Sequence, residues 1–481
     1  MKKGIVLLLL AALAVMQYVR TSSEDQNPYL VTDYSRLHPV KVQRVIQGKA
    51  EEQLAELVRE AKDKGMKISI AGQRHSQGGH TYYKDAIVVD MTSYNKVISV
   101  DPKAKRIVAQ AGATWEDVQK AINPYGLSVR TMQSLNTFTI GGSISINAHG
   151  RDIRSGSLIK SVQSFRLLTA DGSIRNVSRT ENAELFPLAL GGYGLFGIIL
   201  EVTLALTDDE IYRESTVLMK LEDYRSYFQN TVLKDSDIRL HIARISVAKD
   251  SYFTEAFAKN YTIDRSLLLA DHSKLKSNEK WVAPGKLMFH LNRYTDWGKN
   301  LQWNLQKYFF VEQSDKIISR NNAMRAASAF MENNEPTEND LLQEYFIPVN
   351  QFDGFVTRLG AIVKQEDMNL LNITIRYVNK DEEAILSYAK QDMLALVCLF
   401  HAPLSKEGQQ RMKQGVERII EEVITYEGSY YLPYIAYPTI GQFRAVYPKQ
   451  ELFFSKKKQY DPDDVFMNFF YEQYGPLGGG I

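Results

Sequence analysis

The chain has 481 residues, too many for one ordinary compact core, so two or three structural units are expected. Hydrophobic residues make up 44% and charged residues 24%, which excludes a disordered or fibrous chain. A formal charge of +2 leaves no basic face for nucleic acid, and the single cysteine, Cys398, excludes an intrachain disulfide and a cysteine-rich zinc site; no metal site is expected.

Lys2 and Lys3 precede an unbroken apolar stretch from Ile5 to Met16, and polar residues resume at Gln17. A basic start followed by a short apolar core is the pattern of an export signal. Residues 1–22 are therefore read as a signal peptide or N-terminal anchor, and the protein as exported, periplasmic or secreted. The stretch is short for a membrane span and no clear A-x-A cleavage site follows, so membrane anchoring stays open beside a buried N-terminal helix.

From Val45 onward the pattern alternates between strand and helix. Glu51 to Lys64 places Leu54, Leu57, Val58 and Ala61 on one helical face and stops at Gly65. Short strands are predicted at 67–70, 86–90 and 106–109, and Thr114 to Asp117 reads as a capping box. Ala170-Asp171-Gly172 reads as a hairpin turn between strands at 165–169 and 174–177, and Ile198 to Leu206 as a further strand. After Asp209 the chain is richer in aromatic residues. Trp281, Trp297 and Trp303, within Lys280 to Phe310, are expected in the core of a second unit, with a lid or membrane-surface patch as the other reading. Cys398 lies in an apolar run and reads as a buried, inert thiol. Gln442 to Tyr474 looks helical with a break at Asp461-Pro462, before a flexible tail at Gly478 to Gly480.

Three glycine-bearing segments carry the chemistry. Ala71 to Gly79 directly follows a strand, and backbone N–H groups in such a turn can converge on a diphosphate. Ser134 to Gly150 is rich in small and hydroxyl residues, which suits a backbone pressed against a flat polar ligand or a tight loop between core elements. Gly192, Gly194 and Gly197 spell G-x-G-x-x-G, but a helical segment precedes them and a strand follows. That order is the reverse of a Rossmann fingerprint, which places the diphosphate at a helix N-terminus.

Taken together, these segments resemble the FAD-binding PCMH-type domain of the vanillyl-alcohol oxidase superfamily over Val45 to Leu206, nearest its sugar-alcohol and aldonolactone oxidase branch. The resemblance implies an α+β fold with a two-subdomain FAD-binding domain at 36–208. A substrate or cap domain at 209–440 would be built on an antiparallel sheet with flanking helices. Residues 441–481 would return to the FAD domain, and Tyr460-Asp461-Pro462 with Phe466 and Asn468 resembles that tail. FAD is the implied cofactor. Its expected contacts are Ala71, Gly72, Gln73, Arg74, His75, Ser76, Gly78 and Gly79 in the first segment, and Ser134, Thr139, Gly141, Gly142, Ser143, Ile146 and Asn147 in the second. Gly194, Gly197, Ile198 and Ile199 complete the set. His75 stands where many members bind the flavin covalently, although Arg74 replaces the family's usual glycine. No cysteine accompanies the second segment, so a bicovalent link is excluded.

On the substrate side, Thr374-Ile375-Arg376 resembles the E-I-R strand of these oxidases, with threonine in place of the glutamate. Arg376 would bind a substrate oxygen or stabilise charge on reduced flavin. Tyr434, within a tyrosine-rich stretch, would accept or relay the alcohol proton, and His149 would position substrate or flavin. Gln133 aligns with a position that governs oxygen access in related enzymes, so a quinone or haem partner is an acceptor candidate beside O₂. The implied activity is oxidation of the CH–OH group of a small sugar-like alcohol or lactone by hydride transfer to flavin N5. A flavin-dependent C=C reductase, an epimerase-type oxidase and a non-catalytic flavin-containing envelope protein stay open.

Overall fold

The apolar β-branched runs Arg44–Gln47 (β1), Ile68–Ala71 (β2) and Ile87–Asp90 (β3) form a small parallel sheet in the order β1-β3-β2. This computed structural model describes residues 2–22, 30–277, 282–312, 315–326 and 329–476; Lys280, Trp281 and the glycine tail lie outside them. The helix Glu51–Asp63 buries Leu54, Leu57, Val58 and Ala61, each worth about 1.5–3 kcal/mol for its larger members. It ends where Gly65 takes a left-handed φ of 64°.

A second, antiparallel sheet follows. Val97–Asp101 (β4), Arg106–Gln110 (β5), Leu127–Val129 (β6), Val162–Leu168 (β7), Ile174–Ser178 (β8) and Ile198–Asp208 (β9) pair in the order β4-β5-β9-β7-β8, with β6 also on β9. Sequence reasoning did not find β4. It is an edge strand with no buried residue, and its register slips between Val97 and Ser99, which spoils the alternation that marks a strand. Thr114 and Asp117 do form the capping box, and Asp171-Gly172 does turn β7 into β8. One shared cluster, including Leu54, Ile68, Val89, Leu168 and Ile198, glues the first sheet to the second. Ile140–Ser145 is a short helix capped by Thr139, which removes the tight-loop alternative for the second glycine segment.

The remaining strands form an eight-stranded antiparallel sheet among the described residues. They are Ile211–Lys220 (β10), Ile238–Ile245 (β11), Glu255–Ile263 (β12), Lys316–Ser319 (β13), Glu338–Pro348 (β14), Asn369–Val378 (β15), Met393–Pro403 (β16) and Ser429–Tyr430 (β17). Their order is β13-β10-β12-β11-β15-β16-β14-β17. One face packs Ile373, Ile375, Leu396 and Cys398 against the helices Phe352–Gln365 and Lys406–Thr425. Cys398 is fully buried, and burial pushes its thiol well above the usual range. The other face turns toward the glycine segments. Trp303 is buried beside Phe257, as a core aromatic should be, whereas Trp297 on the same helix is 62% exposed.

The C-terminal chain breaks at Asp461, whose carboxylate accepts from the backbone N–H groups of Val465 and Phe466. The chain then runs beside β2: Ile68 N donates to Val465 O at 2.7 Å and Met467 N to Ile68 O at 2.9 Å. At the other end, the helix Lys2–Ser22 turns Ala14, Gln17 and Thr21 inward, and Lys286 on the helix Val282–Tyr294 lies 5.0 Å from the Tyr18 ring. Its leucines face outward. No described helix is long and apolar enough to cross a membrane.

Candidate active site

The strand β2 ends in the turn Gly72 to Ser76, and this turn, the helix Ile140–Ser145 and the stretch Tyr193 to Ile199 wall a single cleft. It holds about 1230 Å³ between its walls, part of it open to solvent. Close approach explains the glycines. A β-carbon on Gly72 would lie 2.2 Å from Thr139 Oγ1, so only glycine lets the first segment touch the cap of the second. Gly194 adopts φ 74°, which lets the third segment turn under β2 against Ile70. Asn468 ties the assembly together by donating to His80 O at 3.2 Å and Tyr193 O at 2.9 Å.

The cleft wall fits a dinucleotide. Ser76 Oγ, Thr81 Oγ1 and both ring nitrogens of His80 are buried there with no protein partner. An unsatisfied buried polar atom costs about 1–3 kcal/mol, and the phosphate oxygens and hydroxyls of a bound dinucleotide would give these atoms partners. Burial holds the His80 imidazole neutral, with a pKa down to about 3. His75 stacks on Phe138 at 4.1 Å, and burial lowers its pKa to about 4, so its ring is also neutral near pH 7.

Arg376, Glu344, His149, Tyr434 and Tyr431 line the same cleft. Arg376 donates through Nη2 to Ser134 Oγ at 3.0 Å, while its Nε is buried and unpartnered. The family's missing glutamate has a counterpart. Thr374 pairs with Val397, and Val397 pairs with Glu344, so a carboxylate stands in the same cross-strand row two strands away. Glu344 Oε1 lies 2.7 Å from His149 Nε2, both groups almost wholly buried, although the contact is not aligned as a hydrogen bond. Phe346, Tyr388 and Tyr431 box in the imidazole. The Tyr434 phenol is raised well above its usual pKa, by burial first and then by Glu344, with Arg376 opposing. Near neutrality the phenol therefore keeps its proton.

Most expected contacts line the cleft: Ala71, Gly72, Gln73, Arg74, His75, Ser76, Thr139, Gly141, Gly142, Ser143, Ile146, Gly194, Gly197, Ile199, His149, Arg376 and Tyr434. Five do not. Gly78 and Gly79 form the turn behind it, where Gly79 N donates to Asp33 Oδ2 at 2.8 Å. Asn147 is drawn away to Asp381 and the backbone of Ile159, and Ile198 belongs to the core between the sheets. Ser134 reaches the cleft only through Arg376. Sequence reasoning missed Glu344, His80 and Thr81. His80 and Thr81 follow the glycine turn closely enough to be sought there, whereas no local signal marks Glu344. Gln133, 8% exposed, is held by the Trp115 indole N–H at 3.1 Å. Among the described residues no cluster is suited to a metal ion.

Comparison with known proteins agrees with this geometry. Residues 42–178 match the FAD binding domain family. The chain is 24% identical over 435 residues to decaprenylphosphoryl-beta-D-ribose oxidase of Mycolicibacterium smegmatis, covering 85% of this chain and 89% of that one. It is 22% identical to L-gulonolactone oxidase of Bos taurus, covering 88% and 92%. Mitochondrial L-galactono-1,4-lactone dehydrogenase of Arabidopsis thaliana is 29% identical over 209 residues, 44% of this chain and 34% of that one. With its glycine segments converging on one cleft, the chain carries a PCMH-type FAD-binding domain over residues 42–178 and is an FAD-dependent oxidoreductase.

Proposed function

We propose that the enzyme oxidises the CH–OH group of a sugar-like alcohol or lactone, with His75 as the residue covalently joined to FAD. The observation that carries the reading is the meeting of a partly unpartnered guanidinium, Arg376, with the buried Glu344–His149 pair in the wall of the cofactor cleft. The names of the three relatives, a ribose derivative and two sugar lactones, support the substrate class. Bound FAD supplies the acceptor for the hydride that leaves the carbinol carbon. Arg376 binds the substrate oxygen and stabilises negative charge on it. The Glu344–His149 pair takes the hydroxyl proton, and the Tyr434 phenol donates a hydrogen bond that orients the substrate. Tyr431, Tyr388 and Phe346 keep water from the imidazole. Gln133, pinned by Trp115, narrows access for O₂ and favours a quinone or haem acceptor.

Anaerobic mixing with alcohols, aldoses and lactones tests this: one class should bleach the flavin absorbance. Glu344→Gln should slow that bleaching by about 10²–10⁴-fold while changing substrate affinity little. A full panel that leaves the flavin oxidised, in protein with normal flavin content, would end the proposal.

We infer also that the helix Lys2–Ser22 rests the enzyme on a lipid surface. The helix is inverted for a water-facing element: Gln17 and Thr21 point into the protein, whereas Leu7, Leu8, Leu9, Val15 and Met16 are each more than half exposed. A surface of that kind is stable against acyl chains rather than water.

A further inference from the structure

Register places a row of cations on the cleft-facing side of the large sheet. Lys259 on β12 is paired with Ile242 on β11, and Arg244, two residues on, is paired with Thr374 on β15. Arg376 follows Thr374 by two, so Lys259, Arg244 and Arg376 project from one face. Arg151 joins them from the segment that follows His149: it interacts electrostatically with Arg376, Arg244, Lys259 and Tyr261. Among the described residues these four cations face two carboxylates: Glu214, which bonds Lys259 at 2.6 Å, and Glu344, which lines the cleft with Arg376. The other polar contacts are neutral. Arg151 Nη1 donates to Ala323 O at 2.9 Å and Arg244 Nη1 to Gln306 Oε1 at 2.9 Å. Arg151 Nε and Arg376 Nε are both buried without a partner.

Two other buried arginines are placed differently. Arg293 is paired with Asp340, and Arg320 with Asp152, each inside the protein. A buried charge without a counter-charge is costly. Burial and the neighbouring Arg151 bring Arg244 down to about 10. An anion would balance the cluster, and the two unpartnered Nε atoms would donate to its oxygens. Against Glu214 and Glu344 the four cations keep two net positive charges, of which a carboxylate would match one, whereas a phosphate, with three or more acceptor oxygens and up to two charges, would match both.

We propose that Arg376 and Arg151, backed by Arg244 and Lys259, form a recognition site for a phosphate group carried by the substrate. This rests on the sugar-oxidising reading of the same cleft and narrows its substrate class to phosphorylated sugars, as monoesters or diesters. Arg376 then serves both ends, holding the reacting oxygen region and the near edge of the phosphate.

The test uses the flavin-loaded enzyme and inorganic phosphate. Phosphate should perturb the flavin absorbance saturably, and Arg151→Gln and Arg244→Gln should each weaken its binding at least tenfold with flavin content unchanged, Arg244→Gln serving if Arg151→Gln fails to fold. Equal effects of sodium chloride at matched ionic strength, or of acetate, would overturn the assignment, as would no perturbation at all. A second arm compares sugars with their phosphate monoesters and methyl phosphodiesters as anaerobic reductants. Faster bleaching by one ester class supports the site and names the linkage. Bleaching by free sugars with no gain from either ester overturns the site and leaves the oxidase reading standing. Saturable phosphate binding with no reduction by any of these compounds supports the site and overturns the oxidase reading instead.

Discussion

Arg74 holds a left-handed backbone, φ 56°, immediately before His75. A residue with a β-carbon pays about 1–2 kcal/mol there relative to glycine. The glycine-like geometry of the family's turn is therefore kept although the residue differs, with Asp90 Oδ2 3.8 Å from the guanidinium. His75 is presented to the cleft with its ring against Phe138 and its nitrogens uncharged above about pH 4. A neutral imidazole is the form that can attack an electrophilic carbon. Acid-precipitated protein should therefore stay yellow, and His75→Ala should release the colour into the supernatant. Loading of apoprotein with FAD should proceed equally well from pH 8 down to pH 5, since the ring gains its proton only near about 4. Colour lost from the wild-type pellet would rule out the bond.

At the scale of elements, the cleft depends on a few side chains that join pieces remote in the chain. Asn468 caps the helix Phe469–Tyr474 by accepting from Tyr471 N at 3.0 Å, while its amide holds the carbonyls of His80 and Tyr193. Asn468→Ala removes a cap and leaves two buried carbonyls short of a partner, for an expected loss of about 2–4 kcal/mol. Thermal unfolding should shift down and flavin content per chain should fall, since the first and third glycine segments lose their common tie. An unchanged midpoint would show that the C-terminal return is not part of the cofactor clamp. Thr114 and Asp117, a local pair, were legible in sequence because a capping box needs only four residues. Asn468 was legible as part of a resemblance, but its two long-range partners were not.

For the whole molecule, the inverted N-terminal helix gives the sharpest expectation. Full-length enzyme should sediment with phospholipid vesicles, and a chain lacking residues 2–22 should remain in the supernatant with its flavin and its activity on soluble substrates retained. Equal partition of both would remove the lipid surface from the account. The sequence alone determined the elements whose causes are local: the amphipathic helix ending at Gly65, the hairpin at Asp171-Gly172, the glycine turns, and the refusal of a Rossmann site because a strand follows Gly197. Tertiary structure alone decided which of those turns share one cavity, and it sent Asn147 and Ile198 elsewhere. It also set Glu344 in the row of Thr374, and Arg244 and Lys259 beside Arg376. The reason is that a strand's own residues specify only which positions alternate; pairing register, set by chain far away, specifies which charges meet.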